Sequence, residues 1–142
     1  VIASLDSSTI LRIILGQSNA LKKWRSITQG VASALVEVEC LGTLDRLRLA
    51  EGLEDAEIAI RHEATFPLLE AIEVVELTRS VLARASQPMP TPLGTLDAIH
   101  LATALLWKDR NGHDLVMATH DEALATASHA SGLRVVGIQV SA

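Results

Sequence analysis

The chain contains no tyrosine, one phenylalanine and two tryptophans, so aromatic side chains make up only 2% of its 142 residues. Binding of single-stranded nucleic acid on stacked aromatic platforms needs more rings than that, and this mode is excluded. There is one cysteine, Cys40. A lone thiol allows neither a disulfide framework nor a thiolate metal cluster, and it points to a reducing compartment. Positive charge is scarce: 12 Lys and Arg stand against 17 Asp and Glu, for a formal net charge of −5. The chain as a whole repels phosphate, so any contact with a polyanion must come through local basic residues or bound cations. No run of about 18 or more apolar residues occurs, and no leader-like segment opens the chain. These absences set the expectation of a soluble, cytoplasmic protein without a membrane partner.

What the chain does have is aliphatic bulk, with hydrophobic residues at 49%. The length suits one domain, residues 1–142, with a sizeable core. A core of Leu, Ile, Val and Ala suits helices packed on a mostly parallel sheet. Val1–Leu5 reads as a buried strand ending in Asp6. Asp6-Ser7-Ser8-Thr9 offers N-cap chemistry, and Ile10 to Leu15 continues as a helix. Asn19 to Ile27 reads as a short helix carrying Lys22, Lys23 and Arg25, the densest basic patch. Such a patch is a solvated face or, less specifically, a contact for a polyanion.

Gly30–Ala34 reads as the second strand, followed from Leu35 by a helix with Leu35, Val38, Leu41, Leu44 and Leu47 at roughly three-residue spacing. Of the two acids there, Glu39 lies among Val38, Cys40 and Leu41 and is expected to be the more enclosed; Glu37 favours the helix dipole. Glu51 to Glu76 is a polar helical middle, expected to break near Pro67. Ile72–Leu77 reads as an edge or third strand, and Thr78 caps a helix over Arg79–Ala85. The connector Gln87-Pro88-Met89-Pro90-Thr91-Pro92 is too proline-rich to be helical. It leads to Gly94, to Thr95 as the expected N-cap, and to an apolar helix reaching about Arg110. Asp97 and His100 interrupt that apolar run. Leu115–Thr119 reads as a buried strand ending in His120-Asp121, then a helix over Glu122–Ala130 and a last strand over Leu133–Ile138.

Asp6 and Asp121 thus end strands, Asp97 opens a helix, and Glu39 sits early in another. In a parallel sheet the strand C-termini share one edge, where these four carboxylates are expected to converge. Four like charges so placed push one another's pKa up, and a divalent cation relieves the conflict. Mg²⁺ or Mn²⁺ prefers oxygen ligands, takes few carboxylates directly and keeps several waters. The expectation is Asp6, Asp97 and Asp121 as ligands, with Glu39 as the fourth catalytic acid. The chemistry such a centre serves is metal-assisted phosphodiester hydrolysis. Ser8 and Thr119 adjoin the acids and read equally well as hydrogen-bond donors to the site or as cap and strand-end hydroxyls. His100 lies one helical turn past Asp97 and reads as support for the site. An aspartyl-phosphate protein is disfavoured, because Asp6 is followed by Ser7 and Ser8 and no Lys ends a strand.

Leu5-Asp6-Ser7-Ser8, Ser33-Ala34-Leu35-Val36-Glu37-Val38-Glu39, Leu96-Asp97-Ala98-Ile99-His100-Leu101-Ala102-Thr103-Ala104 and Ala118-Thr119-His120-Asp121-Glu122-Ala123-Leu124 occur in this order. Together they resemble the PIN-domain ribonucleases, and among them the VapC-type toxins of toxin–antitoxin pairs. The resemblance spans nearly the whole chain, and the motif around Asp97 is its most specific part. In that family a Ser precedes the catalytic Glu by six positions, which selects Glu39 through Ser33. The resemblance implies a three-layer α/β fold with a mostly parallel sheet of four to five strands. It also implies a Mg²⁺- or Mn²⁺-dependent endoribonuclease acting on RNA, a cognate antitoxin inserted into the acidic groove, and a homodimer. The chain departs from the family after Glu39, where Cys40-Leu41-Gly42-Thr43 lacks the Arg often found there. A PIN-like binding module without catalysis is the competing reading.

Overall fold

The computed structural model describes residues 1–17 and 24–138. Among these residues five strands form one sheet: β1 (Ile2–Leu5), β2 (Gln29–Ser33), β3 (Glu73–Val75), β4 (Val116–Ala118) and β5 (Arg134–Val136). Their order is β3-β2-β1-β4-β5, and every neighbouring pair is parallel. The chain therefore steps outward from β1 in both directions, and β1 and β4 meet where the direction of winding reverses. In open α/β sheets that reversal opens a crevice at the strand C-termini.

Among the described residues six α-helices cover the sheet: α1 (Ser7–Ile14), α2 (Leu35–Glu51), α3 (Asp55–Glu70), α4 (Arg79–Ala85), α5 (Thr95–Asn111) and α6 (Glu122–Ala130). Strand side chains alternate between faces, and the core divides accordingly. Ala3, Leu5, Ala32, Val116 and Ala118 pack with Ile10 and Ile14 of α1, Val36, Cys40 and Leu44 of α2, and Leu69 of α3. Val31 and Met117 face the other way, onto Leu101, Ala104 and Trp107 of α5 and Leu124 and Ala127 of α6. The result is the expected three-layer α/β arrangement. None of the described helices is long and apolar enough to cross a membrane.

Several local expectations are corrected. Helix α1 begins at Ser7, directly after its N-cap Asp6, because the carboxylate accepts from the Thr9 amide at 3.0 Å and so starts the first turn itself. The stripe that α2 buries is Val36, Cys40 and Leu44, at i, i+4 and i+8, whereas Val38 is 72% exposed. Helix α3 runs through Pro67 and ends at Glu70. Pro67 is exposed and in the last turn, so only one carbonyl, on the solvent side, loses its partner. Helix α5 is capped by Gly94, with Thr95 its first residue and no side-chain cap. Thr78 does cap α4, accepting from the Val81 amide at 3.3 Å. The expected helix over Asn19–Ile27 lies partly outside the described residues, as do Lys22 and Lys23; Trp24–Ser26 forms a 3-10 turn.

Cys40 is fully enclosed on the sheet-facing side of α2. Burial, then the negative charges of Glu39 and Asp6, push its thiol up to about 12. The thiolate is the reactive form, so Cys40 is inert while the fold is intact. Iodoacetamide at pH 8 is expected to label native Cys40 at least about 100-fold more slowly than the urea-unfolded chain. Equal rates, measured by mass spectrometry, would contradict this packing.

Candidate active site

The junction of β1 and β4 at the C-terminal edge of the sheet is built by hydroxyls. Asp6, only 4% exposed, follows the last residue of β1. Ser8 donates to both its oxygens, at 2.7 and 2.9 Å, and the Thr119 hydroxyl donates to Oδ2. The Thr119 oxygen in turn accepts from the Asp121 amide at 2.9 Å, while Ser8 Oγ accepts from the His120 amide at 3.0 Å. A continuous chain of hydrogen bonds therefore ties the end of β1 to the loop after β4. Thr9 adds a third tie, donating from its hydroxyl to the Ala118 carbonyl at 2.9 Å. Asp121 caps α6, its Oδ1 accepting from the Leu124 amide at 2.8 Å. Ser8 and Thr119 act here as donors to Asp6.

Glu39 enters from α2. Its Oε1 accepts from the Ser7 hydroxyl at 2.8 Å and pairs with His100 Nε2 at 2.6 Å. His100 is 3% exposed and Glu39 25%. Burial alone would raise the Glu39 carboxyl, but the His100 hydrogen bond and charge, aided by Ser7, outweigh it and hold the group below its ordinary value. Glu37 is exposed. Glu39 is thus the enclosed acid of the two, although the enclosure comes from α1 and α5 and not from Val38.

Asp97 lies in the first turn of α5, where the helix dipole favours an anion. Even so, its carboxyl is raised. Burial is the first cause, then the charges of Asp121, Asp6 and Glu39, with His100 pulling the other way. The four acids from four segments therefore share one electrostatic field. They do not share one coordination sphere: among the described residues, no three His, Cys, Asp or Glu side chains stand close enough to hold an ion together. His120, to which no role was assigned from the sequence, also belongs to this edge. Burial and then Arg12 lower its pKa, against the opposing pull of Asp6 and a hydrogen bond to the Gly137 backbone. Ser7 was likewise missed. Its position beside Asp6 was the available signal, but its partner is 32 residues away.

With this geometry in view, the relatives become informative. The model of the PIN domain matches residues 3–129, and the chain belongs to the PIN-domain family. It is 32% identical over 136 residues to Ribonuclease VapC46 of Mycobacterium tuberculosis, covering 93% of this chain and 94% of the relative. It is 31% identical over 144 residues to Ribonuclease VapC45 of the same species, covering 95% and 94%. A solved structure of FitAB bound to an IR36 DNA fragment superposes with a TM-score of 0.73, at 14% identity, over 99% of this chain and 98% of that one. At that identity the likeness concerns the fold, and it extends to the whole three-layer arrangement.

Asp97 and Glu39 titrate in opposite senses. A carboxyl whose folded pKa is raised supports folding while protonated, and that support is lost as pH rises through its folded value. One whose folded pKa is lowered supports folding while ionised, and loses that support as pH falls through its folded value. In buffer free of divalent ions, Asp97→Asn should therefore gain stability relative to wild type as pH rises from about 4 toward neutrality. Glu39→Gln should lose relative stability at lower pH, as pH rises toward the ordinary glutamate value of 4.5, and hold level above it. Melting temperatures from about pH 3 to pH 7 test both trends, and parallel curves for wild type and Asp97→Asn would contradict the raised carboxyl at Asp97.

Proposed function

We infer that this protein is a Mg²⁺- or Mn²⁺-dependent endoribonuclease, and the toxin of a toxin–antitoxin pair. The observation that carries this reading is the raised carboxyl of Asp97, half-buried among the charges of Asp121, Asp6 and Glu39. A site that crowds ionised carboxylates without a compensating cation is disfavoured on its own and favoured once a divalent ion binds. The donor set fits such an ion, since all four groups are hard carboxylate oxygens. Their spacing among the described residues is not closed around one point. On this reading Asp6, Asp97 and Asp121 hold the ion and Glu39 is the further catalytic acid. A bound divalent ion would supply charge neutralisation at phosphate and a more acidic water.

The chain's own residues do the rest. Ser8 and Thr119 keep the Asp6 carboxylate oriented. The cap contacts of Asp6 and Asp121 fix those carboxylates to helix starts, so that both are rigid. The kinship with VapC ribonucleases supports RNA as the substrate and a cognate antitoxin as the inhibitor. We further propose a homodimer, the cytoplasm as the compartment, and residues 1–142 as one such domain. The open spacing of the acids favours one other reading, a PIN-like module that binds partners without catalysis.

RNA cleavage decides between the two. The antitoxin-free protein is expected to cut RNA with Mg²⁺ or Mn²⁺ and to stop when EDTA removes the ion. Asp6→Asn and Asp97→Asn should each lower the rate by at least about 100-fold, the scale of a lost catalytic or electrostatic group. If wild type and both variants leave RNA equally intact with metal supplied, the silent module stands instead.

A further inference from the structure

Both donors to Glu39 fall on one of its oxygens. Ser7 Oγ lies 2.8 Å and His100 Nε2 2.6 Å from Oε1, while Oε2 has no partner among the described residues. A carboxylate oxygen can only accept, so Nε2 must carry a proton in whichever form the imidazole adopts. The other ring nitrogen, Nδ1, is enclosed and has no hydrogen-bond partner. A histidine with one nitrogen committed as a donor and the other sealed off has no route by which to pass a proton onward. In this arrangement His100 serves Glu39 as a hydrogen-bond donor. It is 3% exposed on the packed helix α5, whose burial fixes its position.

We propose that His100 and Ser7 are positioning residues that pin Glu39 by Oε1, so that Oε2 accepts the proton of the water attacking phosphorus. This rests on the nuclease reading above. In the step, the water proton passes to Oε2 and the water oxygen forms the new bond to phosphorus. The bond to the leaving ribose oxygen breaks, and that oxygen takes a proton from solvent. Pinning from two sides restrains the long glutamate side chain, which has several rotatable bonds to order before it can act. The charged or titratable groups that bear on Glu39 are His100 and Asp97 of α5 and its neighbour Cys40 on α2.

The test compares His100→Leu, which fills the site without a donor, with His100→Gln, which restores an N–H, and with Ser7→Ala. Two readouts are used: steady-state cleavage of an end-labelled random-sequence RNA with Mn²⁺, and the ¹³C titration of the Glu39 carboxyl in protein free of RNA and metal. His100→Leu should lower kcat by about 10- to 100-fold, the usual scale for losing an orienting partner, with KM within about twofold. His100→Gln should recover much of that loss. Ser7→Ala should lower kcat by about 2- to 10-fold, as expected for one hydrogen bond. The Glu39 midpoint should move up in His100→Leu and return toward wild type in His100→Gln. Should His100→Leu fail to fold, Ser7→Ala carries the same comparison from the surface of α1. If wild type cuts RNA but neither kcat nor the midpoint moves, or if Gln performs no better than Leu, the positioning role is overturned and the nuclease reading survives. If wild type cuts no RNA, both fall.

Discussion

Repulsion among carboxylates gathered at the C-terminal edge of the sheet is the constraint on which the rest of this structure depends. Asp6 is nearly buried, and an unpaired buried charge is costly. Three donors meet it: the Ser8 and Thr119 hydroxyls and the Thr9 amide. Glu39 is answered by His100 and Ser7. Asp121 is answered by the first turn of α6. For Asp97, burial first and then the charges of Asp121, Asp6 and Glu39 outweigh the pull of His100, and its carboxyl stays raised. Sites that keep such tension are characteristic of function, since a protein selected for stability alone would neutralise them.

The fold serves this arrangement directly. Parallel strands bring every C-terminus to one edge, and the reversal at β1 and β4 separates the loops there. The hydrogen-bond chain through Thr119 then couples the two strand ends that carry Asp6 and Asp121. Helices α2 and α5 lie on opposite faces of the sheet, yet both send a first-turn or second-turn acid over the same edge. Glu39 and His100 bridge those two layers.

Much of this was legible in the sequence, because strand and helix signals are local. The apolar runs, the acids at their ends and the order of the motifs placed all five strands and the three-layer arrangement. Helix ends were less legible. Gly94 and Thr95 are both good caps in isolation, and the choice of Gly94 is made by the backbone leaving the proline-rich connector. Pro67 looked like a break, but its exposure in a last turn makes it harmless. At the site, the enclosure of Glu39 was expected from its neighbours on α2, whereas it comes from residues 32 and 61 positions away. His100 was legible as support one turn past Asp97, but its partner Glu39, like the partner of Ser7, is set by the fold and not by neighbours in the sequence. Nor is the spacing of the acids legible there, since it depends on rotamers and not on their order along the chain.

The central claim is that the tension at Asp97 is there to be relieved by a divalent cation. Mn²⁺ binding to the RNA-free protein, followed by electron paramagnetic resonance, tests it most directly. The account predicts saturable binding by wild type that is lost or greatly weakened in Asp97→Asn. Binding that is absent from wild type, or unchanged by that substitution, would contradict it.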